Sequence, residues 1–235
     1  MTKLPALYAL SRFIAGFDFF FWLVMQKMGG AETVAFDTSR PNLGKHTADE
    51  VKRRYESILK PGPALLGMDV NEGASGVQYG EYNAMHLIRA CNEGQQILRL
   101  KSVLPPGSEK YTVTLRGTRR WPTRNSNEQD WRTFAAEIGA RVIPDYDVEP
   151  IGLHERMALY AGAEMNFFVT NGPIALCLLS EYPAMGFDVN NSRPKGIPPG
   201  GRYPFMLPQH HQIWEDATLE NIRKHFKAWS SSKWA

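Results

Sequence analysis

From Tyr111 onward, short β-branched runs alternate with amphipathic helical runs, and this rhythm constrains the fold more than any other feature of the chain. Tyr111-Thr-Val-Thr-Leu115 reads as a strand. Ser126, with Gln129 three places on, reads as a capping box that opens a helix through Ile138, closed by Gly139. Arg141–Ile143 is the next strand and Leu153–Ala161 the next helix. Glu164–Thr170, Pro173–Ser180 and Ala184–Phe187 continue the series as strand, helix and strand. Strands separated by helices of this length imply βαβ units around a parallel sheet.

The first half is less regular. Ala6–Leu10 reads as a strand, and Asp18–Met28 as a very apolar helix stopped by Gly29-Gly30. Thr33–Phe36 is a strand ending at Asp37. Thr47 or Asp49 caps a helix through Leu59, and Tyr82–Asn92 has helical spacing. Pro105-Pro106-Gly107-Ser108 is the best linker candidate, dividing a small α/β lobe (residues 1–105) from a Rossmann-like lobe with a closing helix (106–235). The proline- and glycine-rich run from Asn191 to Pro208 reads as an irregular excursion.

Composition narrows the classes. Lys plus Arg is 27 against 24 Asp plus Glu, a net charge of +3, which suits an anionic small molecule without requiring nucleic acid. Two cysteines, Cys91 and Cys177, are too few for a disulfide framework or a zinc cage, so a reducing, cytoplasmic setting is expected. The apolar stretch from Phe13 to Met25 is broken by Asp18 and falls short of the ~20 residues of a bilayer span. It reads as a buried helix.

In an open parallel sheet, ligands sit beyond the carboxyl ends of the strands. One such loop, Arg116-Gly-Thr-Arg119-Arg120-Trp121-Pro-Thr-Arg124, holds four arginines, and guanidinium groups grip phosphate oxygens in bidentate fashion. Another, Thr170-Asn171-Gly172-Pro173, joins a strand to a helix. There Asn can cap, Gly admits a ligand to the backbone, and exposed amides attract anions.

These segments resemble the donor-binding lobe of GT-B glycosyltransferases, over roughly Tyr111 to Asp188. In the heptosyltransferase-like branch, a strand ends in Asp-Ser/Thr-Gly-Pro behind the donor diphosphate. The resemblance implies that Asn171, Gly172 and Pro173 contact the phosphates of a nucleotide sugar; Arg119 and Arg124 join them as members of the phosphate-gripping arginine loop. It further implies that Arg116 neutralises the leaving diphosphate, as in fucosyltransferase-like members. Ala15-Gly16-Phe17-Asp18 faintly resembles the Gly-Asp pair that supplies the base in that branch, which makes Asp18 the candidate proton acceptor, although a helix N-cap is the plainer reading of it. Asp37, Glu72 and His86 are rival bases. The expected architecture is therefore α/β, two Rossmann-like lobes of GT-B type with a reduced first lobe. The expected activity is metal-independent sugar transfer, with the nucleotide sugar as substrate and no separate cofactor.

Two further classes stand beside it: a non-catalytic nucleotide-sugar or phosphate-binding module, and an unrelated Rossmann-like enzyme such as a nucleoside-phosphate hydrolase or sugar epimerase. Asp145-Tyr146-Asp147 has the spacing of a metal-holding Asp-x-Asp, but the strand–helix rhythm after it favours the metal-independent reading. His210-His211 with Glu215-Asp216 reads as a surface loop and helix start rather than a metal cluster. Trp121, Tyr146 and Tyr160 are candidates to stack on a base, although core packing explains most aromatic positions. The sequence is silent on oligomeric state.

Overall fold

The computed structural model describes residues 5–9, 16–39, 43, 46–71, 84–118, 122–145, 151–170, 172–188 and 200–232. It is α/β, with two fully parallel sheets.

The first sheet has the order β1 (Ala6–Ala9), β2 (Thr33–Asp37), β3 (Asp69–Asn71). Between β1 and β2 runs α1 (Phe19–Met28), whose Phe19 to Val24 are all buried. A helix apolar on every side must be covered on every side. Tyr8 of β1 packs edge-on to Phe19 and Trp22 at 4.8 and 4.9 Å on one side, and a helix of the second half covers another. Thr47 caps α2 (Ala48–Arg54) in a reciprocal capping box with Glu50, and one π-helical turn extends it through Leu59. Then α3 (Ala84–Asn92) packs on α1.

Residues 95–110 carry no regular structure, yet they are bonded on both sides. Lys101 N–H donates to Leu65 O (2.9 Å), Leu100 N–H to Leu179 O (2.8 Å), and Gly107 N–H to Ala158 O (2.8 Å).

The second sheet contains β4 (Tyr111–Thr114), β5 (Arg141–Ile143), β6 (Met165–Val169), β7 (Ala184–Asp188) and β8 (His210–Asp216), in the order β5-β4-β6-β7-β8. The central strands β4, β6 and β7 are buried along their whole length, as a parallel sheet covered on both faces requires. Alternation divides β6 between two cores. Met165, Phe167 and Val169 face α4 (Glu128–Ile138) and α7 (Leu219–Ser232). Phe168 faces the opposite side, with α5 (Leu153–Gly162), α6 (Ile174–Leu178) and the whole first sheet. That second core is continuous from Ala6 to Phe205.

Three expectations need correction. His210–Asp216 is an edge strand, β8, rather than a loop and helix start, and His210 is fully buried. Tyr160 is buried in the interior, bonded to Thr114, so it cannot stack on a ligand base. Ser126 is not the cap of α4: Asn127 holds that position without a side-chain bond, and the Ser126 hydroxyl is used elsewhere. Cys177 is buried and Cys91 is half-buried.

Candidate functional site

The strand order defines where a ligand belongs. From β4 the chain steps outward to β5, then returns past β4 to β6 and proceeds the other way. The connections above β4 and β6 therefore diverge, leaving a crevice at their carboxyl ends. The loop after β4 carries Arg116 and Arg124. The end of β6 leads into Thr170 and Gly172.

The arginine loop is stapled rather than free. Arg116 N–H donates to the Ser126 hydroxyl at 2.8 Å, and Ser126 N–H returns a bond to Arg116 O at 3.0 Å. Asn125 Nδ2 closes on Thr118 O (3.1 Å), and Gly117 N–H donates to Asp145 Oδ2 (3.0 Å). Asp145, the first carboxylate of the Asp-x-Asp, thus holds the arginine loop from the end of β5. Arg119, Trp121, Tyr146, Asp147 and Asn171 lie outside the described residues.

The Arg116 guanidinium is half-buried and, among the described residues, makes no hydrogen bond or ion pair. Burial, and then the neighbouring Arg124, pull its pKa down to about 10, with Asp145 opposing. Arg124 reaches across the crevice, its Nη2 donating to Thr170 O at 3.3 Å, while its buried Nε has no partner. Two cations are held close together here with donors to spare. Such an arrangement is costly unless an anion completes it.

Asp18 faces them. It stands at the N-cap position of α1, but its φ of −61° and ψ of −21° are already helical and its side chain makes no capping bond. Among the described residues its carboxyl has no hydrogen-bond or ion-pair partner. Asp18 keeps a path to water, yet enough protein surrounds it that burial raises its pKa, with Arg124 pulling the other way. Burial and then Asp18 push up the Tyr8 hydroxyl, and the same two causes push the Tyr203 hydroxyl up to about 12. Tyr203 stacks on Phe205 at 4.9 Å, and Phe205 packs on Phe21, one helical turn beyond Asp18.

Gly172 joins the two halves of the site. A methyl in place of its hydrogen would lie 3.0 Å from the ring of Phe17, the residue before Asp18. Pro173 follows at the N-cap of α6, which spans only Ile174–Leu178. So short a helix supplies little macrodipole, and the positive potential comes mainly from the arginines.

The structure thus brings Asp18, Arg116, Arg124, Gly172 and Pro173 to one region. Of the rival bases, Asp37 is engaged by Ser39 N–H (3.0 Å) and Oγ (2.6 Å) in a local turn. His86 lies on α3, and Glu72 is outside the described residues. Tyr203 and the Asp145 staple were not read from the sequence, since their partners lie far along the chain. Among the described residues no group of three His, Cys, Asp or Glu could hold a metal ion, and no helix is long and apolar enough to cross a membrane. No family model, curated protein or solved structure matches the chain.

Proposed function

We propose that this protein is a GT-B-like glycosyltransferase that moves a sugar from a nucleotide-sugar donor to an acceptor hydroxyl. The observation that carries the reading is the meeting, at the switch-point crevice, of two arginines and a carboxyl that, among the described residues, form no ion pair at contact distance. Arg116 and Arg124 hold the donor diphosphate, joined by Arg119 and by Asn171, Gly172 and Pro173, as the resemblance implies. The acceptor oxygen bonds to the anomeric carbon and its proton passes to Asp18. The carbon–oxygen bond to the diphosphate breaks, and its electron pair leaves with the phosphate. The arginines stabilise the charge that develops there, a task other enzymes give to a metal ion. A carboxyl with a raised pKa is the better base near neutral pH.

Titration of the wild-type protein with UDP and GDP, followed by an assay with their radiolabelled sugars, tests both halves. Arg116→Ala should weaken nucleoside diphosphate binding by about tenfold or more. Asp18→Asn should bind within about threefold of wild type yet lose about a hundredfold or more in transfer. Undiminished binding by Arg116→Ala would overturn the placement of the donor.

A second reading, a non-catalytic nucleotide-sugar-binding module, is favoured by one observation. Among the described residues the first sheet has three strands, and it shares a continuous core with α5 and α6, which leaves little freedom for closure around a substrate. Binding without transfer or hydrolysis of labelled sugar would select it.

A further inference from the structure

Arg156, on α5, is only 1% exposed. Its Nη1 donates to the Tyr160 hydroxyl at 3.1 Å, its Nη2 to Pro144 O at 3.5 Å, and its Nε has no partner. Both acceptors are neutral, and no described carboxylate lies at ion-pair distance. A buried cation left this way destabilises a fold, and a well-packed apolar side chain would serve stability better.

Its location suggests what the charge is for. The Tyr160 hydroxyl lies 3.0 Å from Thr114 Oγ1, at the last residue of β4 and two residues before Arg116. Pro144 directly precedes Asp145, which staples the arginine loop through Gly117. The guanidinium is therefore tied to the carboxyl ends of β4 and β5, on the β4 side of the crevice. Thr112, Thr114 and Asn166 on the same sheet face are neutral, and Thr112 Oγ1 bonds to Asn166 Oδ1 at 2.6 Å. Nothing on that face screens the charge as water would.

We infer that Arg156 is a third cation of the anion site, acting through the protein interior rather than by contact, and that it tunes the crevice to a polyanionic phosphate such as a diphosphate. The inference rests on the proposed diphosphate-binding role of Arg116 and Arg124. Among the described residues of these loops and of α5 beneath them, three cations, Arg116, Arg124 and Arg156, accompany two carboxylates, Asp18 and Asp145. The surplus is matched by a ligand carrying several negative charges. A charge ~10 Å away through an interior of intermediate dielectric changes the affinity for a dianion by about tenfold or more.

The test is isothermal titration with inorganic pyrophosphate. Wild type should bind, and Arg116→Ala should bind more weakly; if either result is missing, the diphosphate reading itself fails. With both in place, Arg156→Gln and Arg156→Met should each bind about tenfold more weakly without loss of thermal stability. Affinity equal to wild type in a folded neutral variant overturns the inference alone. Arg156→Lys provides the decisive control even if the neutral variants do not fold. A lysine ammonium buried there loses its proton more readily than the guanidinium. Arg156→Lys should therefore match wild type near pH 6 and fall progressively behind it by pH 9. Binding by Arg156→Lys at pH 6, where its ammonium is charged, as weak as that of Arg156→Gln would show that the side chain only packs, and would overturn the inference.

Discussion

The Arg116 guanidinium and the Asp18 carboxyl are the two charged groups whose surroundings make least sense without a ligand. Arg116 is half-buried, the surroundings of Asp18 raise its pKa although it reaches water, and among the described residues neither has a hydrogen bond to compensate. Because its pKa is raised, Asp18 should impose an acid limb on the transfer rate at a pH above the ~4 of an ordinary aspartate. A kcat/KM profile reads this directly, and a profile flat to pH 4 would remove Asp18 from the proton transfer. His210 makes a separate prediction for stability. Burial, and then Arg99, pull its pKa down to about 4, and its Nδ1 accepts a bond from Leu207 N–H at 3.0 Å. An unfolded histidine takes a proton near pH 6.5, whereas the folded one resists until about pH 4. The unfolded state thus gains protons first, and stability falls as pH drops across that window, by about 3 kcal/mol in total. Urea unfolding at pH 7 and pH 4.5 should show the loss in wild type and a smaller loss in His210→Asn, whose amide oxygen can accept the same bond. Equal losses in both would exclude His210 as the cause.

Among the elements, the tightest approach lies where residues 95–110 cross the end of α5. A methyl at Gly162 would collide with the backbone of Gly107, including its carbonyl oxygen. Gly162→Ala should destabilise the protein by ~3 kcal/mol, seen as a lower urea midpoint with an unchanged slope. Elements whose side chains repeat with a strong local period were legible from sequence. The all-apolar α1, the buried strands β4 and β6, and α4, closed by Gly139 at φ 65°, follow from residue pattern alone. The strands β3 and β8 were not. Asp69-Val70-Asn71 and His210-His211-Gln212-Ile213-Trp214-Glu215-Asp216 lack the apolar alternation of strands. They are strands because β2 and β7 present unpaired edges to them, a tertiary effect that overrides local preference. Ser126 shows the reverse case. Its capping-box spacing is real, but the orphan amide of Arg116 claims the hydroxyl.

At the scale of the molecule, one apolar core runs from β1 through α1 into α5 and α6. The two sheets should therefore unfold together. Fluorescence dominated by Trp22 or by Trp131, isolated by replacing the other tryptophans with phenylalanine, should report the same urea midpoint, and separate midpoints would show independent lobes. The candidate site was legible in so far as the arginine loop and Thr170–Pro173 both follow parallel strands. Their meeting at one crevice depends on strand order, which no local pattern encodes. Tyr203 and Arg156 were invisible for the same reason. The most direct measurement is a crystal structure of the protein soaked with a nucleoside diphosphate. The account predicts the pyrophosphate in the crevice above β4 and β6, bonded to Arg116 and Arg124, with its open side toward Asp18. A diphosphate bound away from both arginines would contradict it.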